Sequence, residues 1–457
     1  MSFAMLIQED IMTLIPETVL LCHLLFLCFN HFLRRNSEAT SQRGKFLSVI
    51  FALSLALAGS FLYYEEGFFW GGTVVSNATT LTLKSALLLC AVGFFVCALF
   101  LNDLRRLLSF ESMALIELSL VGGLVAFSAH HFILLFAALE LQILPLYLLV
   151  AMPKNNQASC EGGLKYFILG GLSTSCLLFG ISFIYGATST GYFIEITQWL
   201  MERVSMTSDI VSEAPSLFVG LAFLLVTFGF KLSLFPFHNW TPDVYEGAET
   251  GTTLFLATAA KIVAVGVMIR LLSDLLLPLH ALFQDVLSGI AILSMFVGAL
   301  GALQQTSLKR IFAYSTISHM GYLLSAASAG SYSGFNAIVL YLFCYVPIAM
   351  CAFVGLLKVA SSGKKNALSL DLLKGLHTSA PGLSAFFAMT MFALAGLPPF
   401  PVFFGKVFLF IALVEQNHWF SALSLVLSSL IACYYYLRII KVIYFEAMDE
   451  QSALQTS

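Results

Sequence analysis

Uninterrupted apolar runs of about twenty residues constrain this chain more than any other feature of its sequence. Such a run crosses the hydrocarbon core of a bilayer as an α-helix, because a helix satisfies its own backbone polar groups. A transmembrane β-barrel would instead show segments of roughly ten residues that alternate in polarity, whereas the apolar runs here are continuous. With 59% hydrophobic residues and a mean hydropathy of +0.91, the 457-residue chain is too apolar for a soluble globular protein. We therefore predict an all-α polytopic membrane protein.

The apolar runs predict about thirteen transmembrane helices. They lie near residues 11–33, 46–63, 80–102, 108–129, 131–152, 163–187, 216–240, 252–273, 278–303, 308–329, 334–358, 382–413 and 417–445. The connection 188–215 is predicted to be a surface loop with a short amphipathic helix. Loop lysines and arginines gather on one side of this arrangement, and only Lys84, Arg203 and Arg270 are assigned to the other. Because basic loops stay in the cytoplasm, the N-terminus is predicted outside and the C-terminus inside.

A lysine interrupts one of the apolar runs. Lys231 follows an apolar stretch that begins at Leu217, so it lies at membrane depth, where an ionisable group is costly and faces a partner or a hydrated cavity. Pro236 comes five residues later, and a proline breaks helical hydrogen bonding. Transporters build ion sites from interrupted helices beside charges at the membrane midplane. The sequence therefore predicts an ion site at this break.

Three further runs contain a charge. Glu140 lies in 131–150, where a carboxylate must find a cation or hold a proton; a helix-packing hydrogen bond is the alternative. Lys261 is surrounded by alanines, too far from either helix end to reach the interface. Lys406 follows a segment in which three prolines and two glycines interrupt a second long helix. Lysine suits proton transfer because its pKa falls on burial, whereas arginine stays charged.

Other ionisable residues are open to two interpretations. His238 and His319 are candidates for proton relay, but a helical histidine is as often only hydrogen-bonded. Lys165 lies near a helix start, where it can reach the interface, so a role in transfer and a role in packing are equally supported. Glu111 and Glu117, nearer a helix end, are weaker candidates.

The interrupted helices divide the chain into two similar blocks. Each block has five predicted helices and one interrupted helix with a lysine, and successive blocks with an odd helix number insert in opposite orientations. This pattern predicts two inverted five-helix repeats, each containing one broken helix. The predicted division is a three-helix segment, two repeats and a polar tail, at residues 1–107, 108–275, 276–445 and 446–457.

Several function classes are excluded by composition and motif. The net charge of -3 and the dispersed basic residues do not favour a nucleic-acid partner. Nine cysteines without a C-x-x-C pair are expected to pack as small apolar residues, so neither zinc nor an iron–sulfur cluster is predicted. The sequence contains no phosphate-binding loop and no dinucleotide fingerprint. We therefore expect a chain that moves ions and carries no redox centre of its own.

Three stretches resemble a known family. They are F-G-F-K-L-S-L-F-P-F-H-N-W-T-P-D-V-Y-E-G at 228–247, L-K-R-I-F-A-Y-S-T-I-S-H-M-G-Y at 308–322 and A-G-L-P-P at 395–399. They are similar to the antiporter-like membrane subunits of respiratory complex I, the proton-translocating NADH:quinone oxidoreductase. Within that family, the presence of lysine at positions 406 and 165 is similar to the pattern of subunit N. The resemblance covers the chain from about Pro16.

The resemblance implies a fourteen-helix fold in which Glu140 pairs with Lys231, Lys261 is the central relay and Lys406 leads to the outside, with Lys165 and His238 as further relay residues. It implies that NADH, FMN, iron–sulfur clusters and quinone belong to partner subunits and that none is bound here. It also implies a hetero-oligomer with other membrane-arm subunits in a bacterial inner membrane, mitochondria and plastids being the alternative. The chain departs from the pattern of this family in two places. The stretch 248–253 is poor in proline, and a fourteenth helix is not predicted. A cation/proton antiporter, alone or within a multi-subunit assembly, is the alternative function.

Overall fold

The structure is a computed structural model that describes residues 10, 12–33, 42–101, 104, 109–206, 210–361 and 368–446. Its described residues form two compact units, one from Met1–Leu232 with Thr258–Phe283 and the other from Ser233–Ala257 with Gln284–Ser457. Both are helical, so the predicted all-α class is confirmed. The tail beyond 446 and the basic residues at 34, 35, 105, 106, 364 and 365 lie outside the described residues.

The first unit contains ten helices and one hairpin among its described residues. The helices are α1 Ile15–Leu33, α2 Gln42–Leu62, α3 Ala78–Phe100, α4 Phe110–Ser128, α5 Phe132–Ala151, α6 Gln157–Thr188, α7 Phe193–Met206, α8 Ile210–Glu213, α9 Pro215–Leu232 and α12 Ala259–Arg270. The antiparallel hairpin pairs β1 (Gly67–Phe69) with β2 (Val74–Ser76). α7 confirms the short helix predicted within 188–215.

The second unit contains the remaining described helices. They are α10 Trp240–Gly247, α11 Thr250–Ala257, α13 His280–Leu303, which begins in the first unit, α14 Leu308–Ser328, α15 Tyr332–Ser361, α16 Leu376–Ser379, α17 Pro381–Ala395, α18 Pro401–Glu415 and α19 Trp419–Phe445. In the first unit, a π-helical turn at Leu271–Leu275 and a three-residue turn at Leu277–Leu279 follow α12. In the second unit, a four-residue turn at Leu370–Leu373 precedes α16.

Helix starts follow local capping chemistry. The Asn77 side chain accepts a hydrogen bond from the Thr80 amide while the Thr80 hydroxyl accepts one from the Asn77 amide, so α3 begins with a capping box. The Ser109 side chain caps α4 by accepting from the Ser112 amide, and the Asn156 side chain caps α6 by accepting from the Ala158 amide. These residues satisfy amide donors that the first helical turn leaves free.

Ten helices of the described chain are long and apolar enough to cross a membrane, and Ile15–His31 and Pro381–Ala395 are shorter apolar helices. A helix occupies each predicted segment. The membrane-spanning class is thus confirmed, while the count of thirteen, the inverted repeats and the predicted division of the chain stay predictions.

One interruption lies where the sequence indicated it, and a second was not predicted. α9 ends at Leu232, one residue after Lys231 and short of the predicted helix end at 240, and Ser233 has φ +63°. The segment 252–273 was predicted to be continuous, but α11 ends at Ala257 and α12 begins at Ala259. Thr258 between them has ψ -79°, outside the usual helical range. No proline marks this second interruption, which explains why its sequence pattern indicates one helix.

Within each unit a glycine permits two helices to approach closely. A Cβ atom on Gly122 of α4 would lie 2.4 Å from the backbone nitrogen of Gln142 on α5. In the second unit, a Cβ atom on Gly321 of α14 would lie 2.9 Å from the backbone nitrogen of Met295 on α13. Small residues at such crossings are how apolar helices associate in a membrane, where burial in lipid adds no driving force.

Candidate functional site

Two buried lysines meet at the end of α9 in the first unit. Lys231 is the second-last residue of α9 and is 9% exposed, while Lys261 on α12 is 2% exposed. The Lys261 ammonium donates a hydrogen bond to the Lys231 backbone carbonyl at 3.1 Å. Carbonyls of a last helical turn have no intrahelical partner and carry the negative end of the helix dipole. The end of the interrupted helix therefore supplies an acceptor for a buried cation.

Glu140 lies on α5 in the same unit and is partly buried. Its carboxylate accepts a hydrogen bond from the Thr174 hydroxyl at 2.8 Å. It interacts electrostatically with the Lys231 ammonium, but the described side chains include no direct ion pair between these two residues. The structure thus places Glu140 near Lys231, its predicted partner, without an ion pair between them.

Lys406 repeats the lysine arrangement in the second unit. It lies on α18, five residues after the helix starts at Pro401, and is 7% exposed. Its ammonium donates to the Ala395 carbonyl at 3.0 Å, and Ala395 is the last residue of α17. The ammonium also lies 5.4 Å from the ring centroid of Tyr322, within the range of a cation–π interaction. Each unit therefore directs one buried ammonium at the carbonyl end of an interrupted helix.

His319 organises a hydroxyl network beside Lys406. Its Nδ1 is hydrogen-bonded to the Tyr341 hydroxyl, and its Nε2 is 3.3 Å from the Tyr436 hydroxyl. Tyr436 is in turn hydrogen-bonded to the Ser315 hydroxyl. Hydroxyl and imidazole groups both donate and accept, so such a network can pass a proton between its ends.

His238 and Lys165 have different surroundings. His238 is buried in the turn before α10, where its ring packs against Phe235 and its Nδ1 has no hydrogen-bond partner among the described residues. Lys165 lies on the outer surface of α6 and forms an ion pair with Glu161 at 2.8 Å, with 43% of the lysine side chain exposed. The structure does not bring Lys165 into contact with the buried lysines of its unit.

Tyr341 and Tyr436 were not predicted from the sequence to be functional residues. Both are fully buried aromatic residues inside apolar runs, where an aromatic residue is ordinarily part of the core. Their hydroxyls could have indicated a hydrogen-bond network, because a buried phenol requires a hydrogen-bond partner. The acceptors of Lys261 and Lys406 are backbone carbonyls, which every residue type has, so the sequence does not indicate them.

Two basic residues that were assigned to the outer side are buried within helices. Lys84 on α3 forms an ion pair with Glu17 of α1 at 2.7 Å. Arg270 closes α12, where it donates to the Ala129 carbonyl and pairs with Asp274 at 3.0 Å. The residues that the structure describes contain no group of His, Cys, Asp or Glu side chains placed to hold a metal ion.

Comparison with known proteins identifies the family. The family model described as "NADH:quinone oxidoreductase/Mrp antiporter, TM" matches residues 129–432, more than half of the chain. The chain belongs to this family. The resemblance to antiporter-like membrane subunits is thereby confirmed, and the match contains Glu140, Lys231, Lys261 and Lys406.

Relatives of the family match over most of their length. "NADH-quinone oxidoreductase subunit N 1" of Rhizobium meliloti is 36% identical over 394 residues, covering 86% of this chain and 80% of the relative. A chain of respiratory complex I from Thermus thermophilus is 28% identical with a TM-score of 0.77, covering 95% of this chain and 91% of that one. A chain of the Mrp complex from a Dietzia species is 21% identical with a TM-score of 0.81, covering 97% and 81%. This last likeness concerns the fold alone.

Proposed function

We propose that this chain is subunit N in the membrane arm of a proton-translocating NADH:quinone oxidoreductase. It moves protons across the membrane while redox chemistry takes place in other subunits, so it contributes to an enzyme without a redox centre of its own. Similarity to relatives named subunit N over most of the chain supports this assignment. The partners are other membrane-arm subunits in a hetero-oligomer, and the location is a bacterial inner membrane with the N-terminus outside.

The buried ammonium groups carry the proposal. An amine at membrane depth costs several kcal/mol unless it has a partner, and lysine can exist there in either protonation state. Lys261 and Lys406 each donate to a carbonyl at the end of an interrupted helix, so an acceptor is present for the charged form. Apolar helices around them supply the low-dielectric setting in which neighbouring charges shift proton affinity most strongly.

The proposed relay begins at Glu140 and Lys231. Because these two groups interact but form no ion pair in this structure, the relay requires a movement that brings the carboxylate and the ammonium into contact. Forming the pair stabilises the charged lysine, and breaking it releases a proton towards Lys261 and then Lys406. Lys165 and His238 pass protons between the surrounding water and this path. Redox chemistry elsewhere biases the Glu140–Lys231 contact, which is the coupling between distant sites that the mechanism requires.

The first test replaces the charges one at a time in the assembled complex. Glu140→Gln and Lys231→Met should abolish proton pumping through this subunit, measured in vesicles during NADH oxidation. Glu415→Gln is the matched control, because this carboxylate is exposed at the end of α18 and belongs to no step of the relay. Wild-type pumping in both Glu140→Gln and Lys231→Met would overturn the relay.

A cation/proton antiporter subunit is the second candidate, because the fold is shared with a chain of the Mrp complex. The two assignments differ in their partners. Purification in mild detergent should yield flavin and iron–sulfur proteins together with this chain if it belongs to an NADH:quinone oxidoreductase. Their absence, with sodium/proton exchange by the purified assembly, would favour the antiporter.

A further inference from the structure

A buried imidazole and carboxylate meet in the first unit, away from the lysines. His23 on α1 places Nδ1 at 3.0 Å and 3.1 Å from the two carboxylate oxygens of Glu117 on α4. The Glu117 side chain is completely buried, and that of His23 is 10% exposed. The opposite ring nitrogen, Nε2, is 3.2 Å from the Ser48 hydroxyl oxygen on α2. Three helices therefore converge on one imidazole.

The hydrogen bonds define how many protons the cluster holds. The Ser48 hydroxyl donates to the Lys45 carbonyl at 2.7 Å, so its oxygen accepts from His23 Nε2–H. The contact between Nδ1 and Glu117 then needs a second proton, because an imidazole lone pair would otherwise face a carboxylate. If the Ser48 hydroxyl instead rotates to donate to Nε2, the neutral ring keeps only its Nδ1 proton and still donates to Glu117. The same three residues thus satisfy two states that differ by one proton.

The charged groups on the helices packed against α4 have partners elsewhere, and α2, which carries Ser48, adds the half-buried Lys45. The helices packed against α4 are α1, α3, α5 and α12. Their buried or half-buried charged residues are Glu17, Lys84, Glu140, Lys261 and Arg270, which contact one another or other groups. His31, the other ionisable ring on α1, stacks on Phe110. Among the described residues, His23 is the hydrogen-bond partner of the Glu117 carboxylate, so the proton is shared between these two side chains.

We propose that His23, Glu117 and Ser48 form a proton-binding site that is separate from the lysine relay. On release, the proton on His23 Nε2 passes to the Ser48 oxygen while the hydroxyl hydrogen, formerly directed at the Lys45 carbonyl, passes to a water molecule. The His23 N–H bond and the original Ser48 O–H bond break, while a new Ser48 O–H bond and an O–H bond on the water form, and the restored hydroxyl directs its hydrogen at Nε2. Ser48 is half-buried and lies near the start of α2, three residues after Lys45, and the proposal places the water that takes up the proton at this end of the helix.

Residue-resolved exchange of the imidazole C2 hydrogen, followed by mass spectrometry across a pH series, tests the site in the assembled complex. The wild-type curve for His23 should be sigmoidal, because the site binds and releases a proton. Glu117→Gln should move its midpoint by about one pH unit or more, since an opposite charge in contact shifts proton affinity by that amount. Glu111→Gln is the matched control, because Glu111 lies on the same helix and is exposed.

A flat wild-type curve for His23 would overturn the proposal, and this measurement stands even if a variant does not assemble. Superimposable curves for the wild type and Glu117→Gln would also overturn it. The readout needs no proton pumping. Failure here therefore leaves the lysine relay intact, and failure of the relay leaves this site intact.

Discussion

The ammonium of Lys261 donates a hydrogen bond to the backbone carbonyl of Lys231 at 3.1 Å. One lysine of the candidate relay therefore caps the C-terminal end of the helix that carries the other. Lys406 has the same relationship to Ala395 in the second unit. A cation at a helix C-terminus gains about 0.3–1 kcal/mol from the dipole, and more where it is partly buried. Loss of the proton removes the charge-dependent part of this attraction. Protonation of each lysine is therefore linked to the end of an interrupted helix.

Gly396→Ala should impair proton transfer without altering an ionisable group. A Cβ atom at this position would lie 2.9 Å from the Lys406 ammonium nitrogen, and the backbone has φ +80°, which favours glycine. We expect the methyl group to displace the ammonium from the Ala395 carbonyl and to lower pumping in reconstituted vesicles. Gly382→Ala is the matched control, because a Cβ atom there meets no atom within 4 Å. Equal pumping by the two variants would show that the lysine contact is dispensable.

Tyr341→Phe should slow proton transfer near Lys406. The substitution keeps the aromatic ring but removes the hydroxyl bonded to His319 Nδ1. A hydrogen bond contributes about 1 kcal/mol, and each 1.4 kcal/mol changes a rate tenfold, so we expect roughly a five-fold to tenfold decrease in the pumping rate. Tyr332→Phe, which removes the hydroxyl of an 81% exposed residue, should have no effect. A wild-type rate in Tyr341→Phe would exclude the hydroxyl from the path.

His130 should make the fold sensitive to acid. It lies between α4 and α5, where burial and the nearby Arg270 guanidinium lower its pKa to about 4. The unfolded chain binds this proton near pH 6.5, so stability from neutral His130 is complete above that pH and decreases as the pH falls towards 4. His130→Phe should reduce the acid-induced fall in the thermal unfolding midpoint of the complex, because its neighbours Phe68 and Phe193 are aromatic.

The control for this prediction is His418→Phe, at the start of α19. We expect this variant to retain the acid-induced loss that His130 causes. An unfolding midpoint that falls equally with pH in the wild type and in His130→Phe would contradict the assignment.

Charges inside apolar runs were predictable from the sequence, and their surroundings were not. Lys231, Lys261 and Lys406 stand out because an amine is costly at membrane depth. The carbonyls that accept from two of them are backbone atoms, which any residue type provides, so no pattern marks them. The break after Lys231 was indicated by Pro236, whereas the break at Thr258 carries no such residue.

Ion pairs between residues that are distant in the sequence were the second feature that could not be predicted. Lys84 was assigned to the outer side of the membrane, and its ion pair with Glu17 was not predicted because Glu17 belongs to a different helix. The same holds for His23 and Glu117, which are distant in the sequence and adjacent in the structure. Contacts between helices depend on their rotation about their own axes, and uniformly apolar runs leave that rotation undetermined.

Lys261→Arg tests the central claim, that the buried lysines transfer protons, most directly. Arginine keeps the positive charge and the donors that can reach the Lys231 carbonyl, but its guanidinium does not release a proton in a protein. The measurement is the number of protons pumped per quinone reduced by the assembled complex in vesicles. We predict that the complex assembles and that this ratio falls below the wild-type value. A wild-type ratio would show that the lysine serves only as a fixed charge at the helix end and would contradict the relay.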